Sequence, residues 1–424
     1  MPNYKPISGY RKPEIHNGEN FCGQIGRLGV LWTEKTCAEQ FARDIRIKRD
    51  VFMENLTRRT WAEIDLEALA HNYRQLRVPG AKYLGVVKAN GYGHGAVQVS
   101  RKLEELGADY LAVACLDEAI ELREAGIKLP ILILGNTLPV YADLLVKYDI
   151  TQAVTFLSDA KELSAAAQAA GKQLKIHIKV DTGMSRMGFQ TAGELFESGI
   201  AAIAETCALP GLDAEGIFTH FCVADGDEEE NIAFTKAQFA LFVKTIDALK
   251  EKGVTFAIRH CANSSAAARY PETHLDMIRP GISLYGAGPE VERMGLRPVM
   301  KVKSKIHAVK EFREEVDIGY GRTYHTDGPA RIGVIHMGYA DGLLRSLSNK
   351  MKMVTAEGEV PVRGRICMDV CMVDLSKTPG VQMGDEVEIF GDKQPVDVLA
   401  DLIGTVPNEL VCAISRRVPR VYVG

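Results

Sequence analysis

From Trp61 onward, short apolar runs alternate with longer stretches whose apolar residues recur at helical spacing. The runs are Tyr83–Val87, Tyr110–Ala114, Ile131–Leu134, Gln152–Val154, Leu174–Val180, Leu212–Phe218, Ala257–His260 and Leu275–Ile278. The intervals between them, roughly 20 to 40 residues each, hold amphipathic segments such as Ala96–Leu106 and Ser158–Ala170. Strands and helices in this alternation predict an α/β chain with a (β/α)8 TIM-like barrel. An open doubly wound sheet gives a similar alternation, so strand count alone does not choose between them. The phase of the polar residues favours the barrel. Lys88, Asp181, Thr219 with His220, Asn263 with Ser264, and Arg279 to Gly281 all stand just past the C-terminal ends of different runs, where barrel active sites assemble.

After about Met300 the pattern changes to period-two alternation broken by turns, as in KVKSKIHAVKEF, ARIGVIHMGYADG and EVPVRGRICMDVCMVDL. It predicts a mostly antiparallel β domain over 301–424, interrupted by a helix at Pro395–Leu402. Residues 1–53 start polar and irregular, then show a helical pattern over Glu34–Met53, and carry no recognisable chemistry. The expected organisation is therefore an N-terminal extension (1–53), a barrel (54–300) and a β domain, in line with the two or three domains that 424 residues allow.

Composition narrows the function classes. A charged fraction of 25% and a formal charge of −4 leave no basic excess for a nucleic-acid backbone. No apolar run reaches the length of a membrane span and the N-terminus lacks the apolar core of a signal peptide, so a cytoplasmic protein is expected. The nine cysteines form neither a C-x-x-C pair nor a zinc-ligand cluster, which predicts reduced, mostly packed thiols and no metal site.

The chemistry centres on Tyr83–Gly95, YLGVVKANGYGHG. An apolar run delivers Lys88 into a loop with three glycines, built for close backbone approach. A lysine closing a strand is often only a solvated charge. Behind an apolar run it is partly desolvated, which lowers its pKa and suits Schiff-base chemistry. The segment VVKANGYGHG closely resembles the pyridoxal-phosphate lysine segment of bacterial alanine racemases, and KVDTGMSRMG, HCANSSAA, RPGISLYG, GYADG and GRICMD extend the resemblance from about residue 54 to 424.

That resemblance implies a set of roles. Lys88 would anchor pyridoxal 5'-phosphate. Tyr92, Asn263, Ser264, Gly281 and Ile282 would surround its phosphate, where small residues let N–H groups converge on an anion. ANSSAA also reads as an ordinary helix N-cap, which is compatible. Arg279 would face the pyridine nitrogen as a donor that keeps its proton, although an arginine at a barrel rim is often just a salt-bridge partner. His220 would lie beside the ring, or be a satisfied core histidine. Arg186 would reach the cofactor's phenolic oxygen and the substrate, and Lys179 matches a lysine often carbamylated in these enzymes.

Racemisation needs a proton carrier on each face of a planar intermediate. Lys88 would serve one face and Tyr320, flanked by glycines on the β domain, the other; a tyrosine ordinarily titrates near pH 10 and needs a neighbouring cation or hydrogen bond to act as a base. The plain alternative is a tyrosine anchoring a turn. Met368 and Asp369 would contact the substrate carboxylate, Tyr339 would stand at the entrance, and Asp225, Arg345 and Arg365 would line the corridor.

The implied protein is a homodimer with shared active sites that interconverts L- and D-alanine for cell-wall peptidoglycan. One departure bears on the substrate. Where the family usually reads T-I-N-Y-E, this chain reads Thr405, Val406, Pro407, Asn408, Glu409, so a tyrosine near phosphate and substrate is Asn408, as in the serine-racemising branch. A serine or broad-specificity racemase is therefore the alternative. A decarboxylase of the same architecture lacks support, having no longer glycine run for phosphate in this chain. A non-catalytic cofactor carrier would have no use for the β domain that bears Tyr320.

Overall fold

The computed structural model describes residues 59–424. The helical pattern over Glu34–Met53 and the boundary at residue 53 lie outside them. The first strand, β1 (Thr60–Asp65), runs into helix α1 (Leu66–Leu76), whose start is capped by Asp65 accepting from the Ala68 amide at 2.8 Å.

The barrel is built from β2 (Lys82–Val86), β3 (Tyr110–Val113), β4 (Ile131–Ile133), β5 (Thr151–Val154), β6 (Leu174–Asp181), β7 (Leu212–Phe218), β8 (Ile258–His260) and β9 (Met277–Ile278). The strands are parallel in the order β9-β2-β3-β4-β5-β6-β7-β8. The ring is drawn together between β8 and β9 by Asp276 N–H to Arg259 O (3.1 Å) and Arg279 N–H to Ala262 O (2.9 Å). Each strand falls within one residue of its apolar run at either end except the last, which starts two residues late. Leu275 takes a φ of 47°, a left-handed conformation that breaks an extended run, so pairing starts only at Met277. The outer layer comprises α2 (Ala96–Glu105), α3 (Leu116–Glu124), α4 (Ala142–Lys147), α5 (Leu157–Ala169), α6 (Phe196–Cys207), α7 (Glu229–Glu251) and α8 (Ser264–Arg269). Alternation explains the packing: Leu84, Leu111, Leu132 and Ile178 are fully buried between strands and helices.

The second sheet contains β10 (Met300–Phe312), β11 (Ala330–Ile335), β12 (Lys352–Val354), β13 (Glu359–Pro361), β14 (Cys371–Asp374), β15 (Glu386–Phe390) and β16 (Arg420–Val423). Its order is β13-β12-β15-β10-β1-β16, with β11 joining β10 to β14. Every pairing is antiparallel except β1 with β16. Two helices, α9 (Val396–Ile403) and α10 (Pro407–Ala413), cross back toward the barrel mouth.

The cysteines depart from the expectation of packed thiols. Among the described residues only Cys261 and Cys371 are buried, while Cys115 and Cys412 are exposed. Cys115 falls at the junction between β3 and α3, and Cys412 lies on the short helix α10, so an apolar sequence neighbourhood did not translate into burial.

Candidate active site

Strand β2 ends at Val86, and beyond Lys88 the backbone takes an unusual course. Ala89, Asn90, Gly91 and Tyr92 have φ of 52°, 54°, 61° and 50°, a turn of left-handed conformation that costs about 1–2 kcal/mol per residue with a Cβ. Several bonds hold it. Glu118 on α3 accepts from Ala89 N–H (2.6 Å) with one carboxylate oxygen and from Ala114 N–H (2.8 Å) with the other. The Asn90 side chain accepts from Ala96 N–H (2.9 Å), and Arg420 on β16 donates to Gly93 O (2.9 Å). The turn aims Lys88 into a cavity of about 580 Å³ at the C-terminal ends of the barrel strands. Burial, then the nearby Arg186 guanidinium, lower the pKa of its amine.

Opposite Lys88 three small polar groups converge. Gly281 N–H donates to Ser264 Oγ (2.8 Å), and a Cβ placed at Gly281 would stand 2.7 Å from Tyr92 Oη and 3.9 Å from Ser264 Oγ. Only a glycine leaves this concavity open. Asn263 caps α8 through Ala266 N–H (3.0 Å), so its carboxamide is engaged in the fold although the residue lines the cavity with Ile282.

Arg279 is buried at the cavity floor. Its terminal nitrogens donate to His260 Nδ1 (3.1 Å), Thr219 O (2.8 Å), Cys261 O (3.2 Å) and His220 Nδ1 (3.3 Å). Among the described residues it has no carboxylate partner and its Nε carries no hydrogen bond. Burial brings its pKa down to about 10, still far above neutral. Burial and the Arg279 charge hold His220 neutral, well below its ordinary pKa. Lys179 is pulled down to about 8 by burial, Arg186 and Arg279. Arg186, Asp225 and Asn408 line the same cavity.

The remaining expected residues lie elsewhere. Tyr320 sits at the tip of a turn between Gly319 and Gly321 (φ 73° and 72°), is 69% exposed, and is outside the cavity of its own chain. Tyr339 and Met368 are also exposed and adjoin one another, with Ala340 N–H donating to Met368 O (3.0 Å). The Asp369 carboxylate is taken up by Arg417 (2.7 Å). Arg365 packs against the Tyr320 turn, its Cζ 3.3 Å from where a Gly321 Cβ would be, and Arg345 opens the short 3-10 turn Arg345–Leu347. Sequence reasoning passed over Glu118, which reads as a solvated helix charge, and His260. It also passed over His177, although the alternation of β6 places it on the same face as Lys179.

Comparison with known proteins places these features in a family. The family model described as "Alanine racemase, N-terminal domain" matches residues 64–289, and "Alanine racemase, C-terminal domain" matches 299–422. The chain is 45% identical over 372 residues to the alanine racemase of Desulforamulus reducens, covering 86% of this chain and 99% of that one. It is 44% identical over 378 residues to that of Desulfovibrio desulfuricans, covering 88% and 100%. Among solved structures, alanine racemase from Clostridium difficile 630 superposes with a TM-score of 0.81 at 41% identity, covering 87% of this chain and 96% of that one. The biosynthetic alanine racemase of Pseudomonas aeruginosa does so with 0.78 at 33% identity, covering 87% and 100%.

Proposed function

The chain belongs to the alanine racemase family and is a pyridoxal-phosphate-dependent racemase of alanine, and from that premise we propose that Lys88 and Tyr320 carry the two protons from different subunits of a homodimer. Pyridoxal phosphate, when bound, supplies an aldehyde for amines and an electron sink that acidifies the substrate α C–H. The cavity fits it. Gly281 N–H, Ser264 Oγ and Tyr92 Oη face one concavity suited to a phosphate, Lys88 presents an amine of lowered basicity, and the Arg279 Nε–H has no partner among the described residues.

Each residue then has a defined task. Lys88, whose amine is made less basic by burial and by the Arg186 charge, accepts or returns the α-proton on its face. Arg279 donates from Nε and does not give up its proton, so no acid is offered at the ring nitrogen. His220, neutral and accepting at Nδ1 from Arg279, carries its hydrogen on Nε2 and so can act there as a donor. Arg186 stands where it can hold an anionic oxygen of cofactor or substrate. Since the Asp369 side chain is occupied by Arg417, contact with the substrate carboxylate falls to the Met368 backbone N–H, with Tyr339 beside it at the entrance. Lys179, with a pKa of about 8 and no carboxylate partner among the described residues, is suited to carbamylation, in which its neutral amine adds to carbon dioxide and releases a proton. The resulting anion would offset the cationic charges of Arg186 and Arg279.

The carrying observation is the exposure of Tyr320 outside the cavity that holds Lys88, which leaves each chain with one proton carrier at its own site. A second copy that inserts its Tyr320 completes the site. A division of the chain near residue 300, a cytoplasmic setting and use of the product in peptidoglycan are supported by the family resemblance. Subunit exchange between Lys88→Ala and Tyr320→Phe proteins tests the shared site. Mixed dimers contain one site with both lesions and one with neither, so activity should return; no recovery after verified exchange contradicts the proposal.

A further inference from the structure

Barrel interiors are ordinarily filled by layers of branched apolar side chains. This one holds a polar column. Lys175, His177 and Lys179 alternate onto one face of β6, and His177 and His260 are both fully buried. His177 Nδ1 lies 2.8 Å from His260 Nε2, and His177 Nε2 lies 3.3 Å from Glu215 Oε2. Glu215 also receives Tyr110 Oη and, at 2.8 Å, Lys175 Nζ. At the other end, His260 Nδ1 lies 3.1 Å from Arg279.

The polarity of this chain follows from its ends. A guanidinium can only donate, so His260 accepts at Nδ1 and carries its hydrogen on Nε2. That hydrogen points at His177 Nδ1, which therefore accepts, and His177 carries its own hydrogen on Nε2, where the Glu215 carboxylate receives it. The two ends specify the same tautomers. Burial lowers the pKa of both imidazoles and keeps them neutral. Burial alone would raise the pKa of Glu215, but hydrogen bonds from His177, Lys175 and Tyr110 outweigh it and hold it near 2. The fold also makes room for the column: a Cβ at Gly216 would lie 2.7 Å from the His177 ring, so only glycine fits there. Polar groups packed this way generally stabilise less than apolar ones of the same volume, which points to a use beyond stability.

We propose that His260, His177 and Glu215 are positioning residues for the racemase reaction: their hydrogen bonds, running one way from Arg279 to Glu215, fix the plane of the Arg279 guanidinium so that its free Nε–H faces the cofactor ring nitrogen. The proposal rests on the assignment of Arg279 above. It also explains how Arg279 is held without a carboxylate in contact, since its side-chain partners are neutral imidazoles and the rest are backbone carbonyls. A carboxylate beside the ring would compete for Nε–H.

The test uses the full-length enzyme, with cofactor and after its removal. Long-range proton–nitrogen NMR spectra should show His177 and His260 neutral with hydrogen on Nε2 in both forms. Hydrogen on Nδ1 of either, or a protonated ring, overturns the proposal without any variant. Glu215→Gln keeps an acceptor and should preserve the tautomers and wild-type kcat within about threefold, whereas Glu215→Leu removes the acceptor and should lower kcat about tenfold with KM for alanine within about twofold. A Glu215→Leu protein of lower thermal stability but unchanged kcat would mean that the column only supports the fold. Should that variant not fold, the wild-type spectra decide.

Discussion

Gly281→Ala isolates the proposed phosphate cradle from the rest of the fold. The added methyl would stand 2.7 Å from Tyr92 Oη, below the 3.0 Å that Cβ atoms essentially never breach, while Ser264 Oγ at 3.9 Å is untouched. Tyr92 is buried and its ring packs on Tyr285 with centroids 5.0 Å apart, so it cannot swing freely. Overpacking of this kind costs about 1–3 kcal/mol, and displacement of the hydroxyl also removes a hydrogen bond to a charged phosphate, about 1.5–3 kcal/mol. The second contribution corresponds to a loss of about ten- to a hundredfold in cofactor affinity. Spectrophotometric titration of the cofactor-free protein with pyridoxal phosphate measures it, and thermal melts measure the first. A Tyr92→Phe background supplies the control: without the hydroxyl, the methyl's nearest contact becomes the ring carbon at 3.5 Å. There the extra effect of Gly281→Ala should largely vanish, giving strong non-additivity. Equal losses in both backgrounds, or unchanged affinity in the single variant, would refute the cradle.

Two further outcomes follow from the same geometry. Burial lowers the pKa of His94, His177, His220 and His260 in the folded protein, so the unfolded chain takes up protons that the folded chain refuses. Their contribution is intact above about pH 6.5 and is lost as pH falls toward the folded values; His94, with a folded pKa of about 4, accounts for roughly 3 kcal/mol of that loss. Urea unfolding of the cofactor-free protein at pH 7 and 4.5 should show it, and equal stability at both would count against neutral buried imidazoles. Asn408 lines the cavity on α10, at a position where the family resemblance implies a larger tyrosine, and its carboxamide offers a donor and an acceptor to a hydroxyl. We propose that serine is racemised at a substantial fraction of the alanine rate. Asn408→Tyr should then lower the serine-to-alanine ratio of kcat/KM by about tenfold or more, as expected when a hydrogen-bonded hydroxyl is lost, and an unchanged ratio would remove Asn408 from specificity.

Most of the barrel was legible because its information is local. Short apolar runs and amphipathic intervals mark strands and helices directly, and polar residues at strand ends mark the catalytic face. The shortened last strand was not legible, because the left-handed Leu275 is imposed by its surroundings rather than by a glycine. Glu118 and Cys412 were misjudged or missed because burial and hydrogen bonding depend on which element packs across them. The column from Arg279 to Glu215 joins residues far apart in the chain, and no single segment contains more than two of its members. Tyr320 was readable as a residue type in a glycine-flanked turn, whereas its exposure outside its own chain's cavity required the fold.

The central claim is that the cavity amine of Lys88 carries the cofactor. Borohydride reduction of the purified enzyme, followed by proteolysis and mass mapping, tests it most directly. A pyridoxyl group on the peptide bearing Lys88, with loss of alanine racemisation, is the expected result; a label on Lys179 or any other lysine, with Lys88 unmodified, would contradict the account.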